Sequence, residues 1–136
     1  MKATARRHSG RFTHRIEVRG HHVTADEPAE HGGADEGPSP QELLAVSVAS
    51  CTAVTMEMYA NRKGWDIGQI EVDCEYERAA PGSPTHFDLV LRLPDSLTQE
   101  QIDKLQVIAR KCPVHRALEG PSTFEERIEL VSPAHT

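Results

Sequence analysis

Three cysteines, Cys51, Cys74 and Cys112, are the side chains of this sequence best suited to covalent chemistry. No two of them form a CxxC or CxxxxC pair, so neither a zinc site nor a thioredoxin-like dithiol motif is indicated. What remains is single-thiol chemistry, in which the thiolate reacts and nearby positive charge favours it. Cys112 stands before Pro113 at the expected start of a short helix, where free N–H groups and the dipole favour the anion. Lys111, His115 and Arg116 are close in sequence. Cys112 could equally be a small hydrophobe completing an apolar helix stripe, as buried cysteines commonly are. Cys51 lies mid-helix, out of reach of either helix end, so a thiolate there needs a cation from elsewhere in the fold. Read on residues 40–62 alone, Cys51 is an apolar core residue. Cys74 shares a strand face with Ile70, Val72 and Tyr76 and reads as structural.

Other chemistries find less support. His21, His22 and His31 with Asp26 and Glu27 carry ligating atoms but fall in a turn and a loop, without helical i, i+4 spacing, so no metal is expected. There is no GxSxG elbow to support a hydrolase.

The element that must carry Cys51 is residues 39–64. Ser39, Pro40 and Glu42 make a capping box with proline at the first helical position, and Gly64 suits a left-handed stop. A helix of that length spans about 35 Å. Its apolar residues, from Leu43 to Tyr59, go most of the way round, which predicts burial on several sides. Small residues (Ala45, Ser47, Ala49, Ser50, Ala53) flank Cys51 and would admit a closely packed neighbour. Before this helix, residues 11–19 alternate as a strand, Gly20-His21 turns the chain, and 22–27 form a second strand. Residues 28–38 are a loop rich in Gly, Pro and acid. After the helix, residues 67–79 and 86–93 are expected as antiparallel strands around a Pro81–Pro84 turn. Thr98 and Gln101 form a second capping box for a helix bearing Ile102, Leu105, Ile108 and Ala109 on one stripe. Pro113 breaks it, leaving Cys112 as N-cap of a helix over residues 113–119. Residues 124–131 read as a last strand. The order β-β-α-β-β-α-α-β is an α+β fold, with helices on one face of an antiparallel sheet.

At 136 residues the chain suits one domain over residues 1–136. Fifteen Lys and Arg against 21 Asp and Glu give a net charge of −6, which argues against a nucleic-acid surface. The basic cluster Arg6, Arg7, Arg11 and Arg15 reads as a solvated strand edge or a subunit contact. The first residues lack the apolar run of a signal peptide, and charged and amide residues flank the long helix's apolar run, so a soluble, cytoplasmic protein without a membrane span is expected.

Taken together, GGADEGPSPQELLAVSVASC over residues 32–51 and KCPVHRAL over 111–118 resemble the OsmC/Ohr family of thiol-dependent hydroperoxide reductases. The resemblance runs from about residue 11 to residue 131. It implies an OsmC-like fold in an intertwined homodimer with two active sites at the interface, and no cofactor. It implies that Cys51 is peroxidatic, attacking the O–O bond to form a sulfenic acid, and that Cys112 resolves it as a disulfide reduced by a cellular dithiol. It also implies an activating arginine held by a glutamate. Arg11 best matches that arginine, with Arg15 as fallback, and a guanidinium stays charged at any working pH. The family's hydroperoxide branch carries its glutamate where this chain has Gln41, with Glu42 one position later. One position is about 100° of helix rotation, and Glu42 stands too far along the helix to touch Cys51 directly. Service by Glu42 or Arg11 therefore requires a folded-back loop or the partner chain; the alternative is that Glu42 serves only its capping box. Two functions follow: a peroxidase reducing organic hydroperoxides or hydrogen peroxide, or a non-catalytic module binding a small apolar ligand at the dimer interface.

Overall fold

Ser39 starts the long helix as its residue types require. Its hydroxyl accepts from the Glu42 N–H at 3.2 Å, and the Glu42 carboxylate accepts from the Ser39 N–H at 2.9 Å. The helix, α1 (Pro40–Lys63), stops at Gly64, whose φ of 71° is the left-handed turn that glycine adopts without a Cβ clash. These features belong to a computed structural model of the chain, which describes residues 1–77 and 79–132. Position 78, inside the strand expected over 67–79, lies outside the described residues, as do positions 133–136.

Two antiparallel sheets stand on either side of α1 in the sequence. The first contains β1 (Thr4–Arg7), β2 (His14–Val18) and β3 (His21–Ala25), in that order. β1 was not expected. It places Arg6 opposite Arg15, and Arg6 reaches Glu17 at 3.4 Å, so this part of the basic cluster is a solvated strand edge. The β2–β3 turn is Arg19-Gly20, one residue earlier than expected. Both have positive φ (49° and 81°), the hairpin geometry that matches strand twist. The loop after β3 folds tightly back on it: the Asp26 N–H donates to the Pro38 carbonyl at 3.1 Å. A Cβ on Gly33 would collide with the Glu27 carbonyl, and one on Gly37 with the Thr24 carbonyl.

The second sheet pairs β4 (Glu71–Tyr76) with β5 (Phe87–Arg92). It is followed by α2 (Gln99–Ala109), capped by Thr98 and Gln101 as expected, and α3 (Pro113–Glu119). Met56 and Ala60 of α1, Ile67, and Leu105 and Ala109 of α2 form the core, with Trp65, Val72, Leu91 and Leu93 packed around it.

Four expectations need correction. The α+β class with antiparallel pairing holds, but the described residues form two small sheets rather than one sheet with helices on a single face. Within one chain α1 is not buried on several sides: Val48, Thr52, Met56 and Ala60 make one buried stripe, while Val46, Val54 and Met58 stand half or more exposed. That stripe packs on β4, α2 and α3, and the β1–β3 sheet makes no comparable packing with it. By length and composition α1 is apolar enough to cross a membrane, so the residues at its ends do not rule that out, but core helices share this property. Finally, residues 124–131 form no strand. Phe124, Ile128 and Leu130 are 87%, 88% and 95% exposed, because no sheet edge within this chain meets them and an unpaired strand leaves its N–H and C=O groups unmet.

Candidate functional site

Cys51 lies one residue before buried Thr52 of the α1 stripe and is itself partly buried. Cys112 follows the turn that ends α2 and is the N-cap of α3, as the proline after it requires. Packing of α1 against α2 and α3 brings the two thiols together. Cys112 is fully buried, Cys51 is partly buried, and the two side chains lie close enough to influence each other's ionisation. Neither thiol is a lone core cysteine, and sequence distance gave no sign of this proximity.

The electrostatics of Cys112 differ from the local expectation. Its sulfur accepts from the His115 N–H at 3.4 Å, so the helix-start donors are present. Burial nevertheless outweighs them and pushes the Cys112 thiol above its ordinary value, and the nearby Cys51 side chain adds to this. Cys112 is a protonated thiol at neutral pH. Cys74 is half-buried opposite Leu89 on the β4–β5 pair, and burial raises its pKa too.

Glu42 is occupied by its capping box, and the hydrogen bonds from Ser39, backbone first and then side chain, hold its carboxyl below the usual range. The neighbouring Gln41 carbonyl accepts from the Tyr76 hydroxyl at 2.6 Å, which ties β4 to the start of α1. Arg11 lies in the turn before β2 with its guanidinium 5.6 Å from the Phe12 ring centroid, beside Gly32. Arg15 is exposed on β2 opposite Thr24. Among the described residues no hydrogen bond or ion pair joins either arginine or Glu42 to Cys51. Nor do the described residues contain a group of three or more His, Cys, Asp or Glu able to hold a metal.

One side chain gained importance on folding. His115 walls a cavity of about 550 Å³ with Thr52, Leu91 and Ile102, and a second of about 300 Å³ with Val48, Phe87 and Leu118. Both volumes are within the range of small-molecule sites. Its ring nitrogen Nε2 meets Glu119 Oε1 at 2.7 Å. The signal was the i, i+4 spacing of His115 and Glu119 directly after Cys112-Pro113, whereas the sequence alone marked His115 only as close to Cys112.

A mid-helix thiol near the thiol that caps another helix, on an α+β scaffold, defines a paired-cysteine protein. Residues 32–127 match the family described as OsmC-like protein, and the chain belongs to that family. No curated protein matches it. Solved structures share its fold. An osmotic-stress-induced and detoxification-response protein from Psychrobacter arcticus is 20% identical, with 86% of this chain and 87% of that one covered and a TM-score of 0.74. An organic hydroperoxide resistance protein OsmC from Legionella pneumophila is 23% identical, with 88% of each covered and a TM-score of 0.64. An organic hydroperoxide resistance protein from Vibrio cholerae, with captopril bound in one of its active sites, is 21% identical over 88% of this chain and 85% of that one, at a TM-score of 0.63.

Proposed function

We propose that this protein is a cofactor-free, dimeric, cytoplasmic peroxidase that reduces organic hydroperoxides or hydrogen peroxide through Cys51 and Cys112. The observation that carries the reading is the packing of α1 against α3, which sets these two thiols near enough to interact. In the reaction, the Cys51 thiolate takes the terminal oxygen of the hydroperoxide, and the departing alkoxide is protonated to the alcohol. Cys51 is then a sulfenic acid. The Cys112 sulfur attacks it, its proton leaves with the hydroxyl as water, and a disulfide remains for an external dithiol to reduce. The apolar cavities around Val48, Thr52 and His115 favour an organic over a small polar substrate.

Activation of Cys51 calls for a cation, and within one chain Arg11 rests on Phe12 instead. A second copy resolves this. The exposed α1 residues Val46, Val54 and Met58, the unpacked β1–β3 sheet and the unpaired apolar residues of 124–131 support an intertwined dimer in which the partner covers them and brings its arginine to Cys51. The Vibrio cholerae neighbour's plural active sites agree with this arrangement. The test is peroxide consumption with a dithiol reductant by wild type, Cys51→Ser and Cys112→Ser, alongside sedimentation to read the mass in solution. Loss of turnover in both variants and a dimeric mass are expected, and equal rates in all three would remove the idea.

The capping role of Glu42 and the position of Arg11 favour one other reading, a non-catalytic module binding a small apolar ligand. Alkylation separates the two. A catalytic Cys51 reacts readily near neutral pH, whereas an inert one resists until the protein unfolds.

A further inference from the structure

We propose that the His115–Glu119 pair is a positioning device for Cys112, holding the resolving sulfur against Cys51 and so deciding whether oxidised Cys51 closes to a disulfide or oxidises further. The inference rests on the peroxidase reading above and adds to it the residues that govern its second step.

The resolving sulfur is weakly held by its own helix. α3 is seven residues long, well below the length at which a helix persists unaided. Its cap is a thiol, a poor acceptor beside the usual hydroxyl or carboxylate, and the N–H···S distance is 3.4 Å. A frayed first turn would carry the Cys112 sulfur away from Cys51. The pair at 2.7 Å spans α3 from its third residue to its last, and so ties the turn that bears the sulfur to the helix's far end. His115 also contacts that sulfur directly through its backbone N–H, and its side chain walls both cavities. Helix energetics alone do not favour the arrangement. An acid at the C-terminal end opposes the dipole, and base-before-acid is the weaker i, i+4 order.

The chemistry makes the position matter. Cys51 sulfenic acid and the Cys112 thiol give the disulfide and water. In competition, a second hydroperoxide donates its oxygen to the sulfenic acid, giving Cys51 sulfinic acid and the alcohol. Any fraction of time that Cys112 spends away from Cys51 shifts this partition toward sulfinic acid.

The experiment exposes wild type, Glu119→Ala, Glu119→Gln and His115→Ala to excess cumene hydroperoxide with a dithiol, and mass spectrometry reads sulfinic acid at Cys51 per turnover. Glu119→Ala and His115→Ala should raise it up to about fivefold, the ceiling for one partly exposed pair. Glu119→Gln, which keeps a carbonyl acceptor for the ring N–H, should restore it, with the rate of first oxidation unchanged in both Glu119 variants. In parallel, diamide, a thiol oxidant, closes the same disulfide without peroxide, and closure should slow by the same factor in the alanine variants. Unchanged closure and unchanged sulfinic yield in Glu119→Ala would overturn the inference while leaving the peroxidase standing. A wild type that diamide cross-links but hydroperoxide does not oxidise would instead overturn the peroxidase, with the diamide series still deciding the role of the pair.

Discussion

One equivalent of hydroperoxide should make this protein markedly harder to unfold. Joining Cys51 to Cys112 closes a loop of 61 residues, and on the chain-entropy account a loop that long removes about 4 kcal/mol of freedom from the unfolded chain. For a chain of this size each kcal/mol moves the thermal midpoint by about 3 °C, so an unstrained bridge raises it by roughly 12 °C. The thiols already lie close enough to interact, and closing the bridge requires the two Cα atoms to come within about 7 Å. The assay heats the dithiol-reduced protein and the same protein after one equivalent of cumene hydroperoxide, with intact mass recording the loss of two hydrogens. Cys51→Ser and Cys112→Ser should show neither the mass change nor the bridge-dependent rise. An unchanged wild-type mass would refute the disulfide chemistry. A formed bridge with an unmoved or lowered midpoint would refute the entropic reasoning and point to strain in the bonded state.

Two further outcomes follow from the same packing. Because burial holds the Cys112 thiol above its ordinary value of 9.0, iodoacetamide should label Cys112 in Cys51→Ser slowly at neutral pH and accelerate only beyond about pH 9. By linkage, a proton held more tightly in the folded state contributes stability below that pH, and this stability is lost as pH rises through the folded value. Rapid labelling at pH 7 would contradict the assignment. Leu105 is fully buried between α2 and α1, so Leu105→Ala should cost about 3–4 kcal/mol, read as a lower urea midpoint; a change under about 1 kcal/mol would mean that this core collapses around the cavity.

Local rules carried much of the fold. Ser39 with Glu42 and Thr98 with Gln101 cap their helices, Pro113 passes the cap to Cys112, and Gly64 ends α1, because each depends on groups within a few residues. The alternation in β4 and β5 held for the same reason. Expectations failed where the outcome depends on a partner far off in the sequence. β1 carries Thr4, Ala5, Arg6 and Arg7, with little apolar alternation, and becomes a strand only because β2 offers an edge. Residues 124–131 have the alternation and lack the edge.

For the site, the residue types and the text around Cys51 and Cys112 were enough to single out both thiols and to suggest their family. Hydrogen bonding within a turn, steric limits before proline and apolar periodicity act locally, so they can be read along the chain. Thiol proximity, burial of Cys112 and the bond between His115 and Glu119 arise when α1, α2 and α3 pack together, and so only the tertiary structure decided them. Desolvation depends on everything that surrounds a group, which is why Cys112, at a helix start that favours its anion, keeps its proton once the protein has folded.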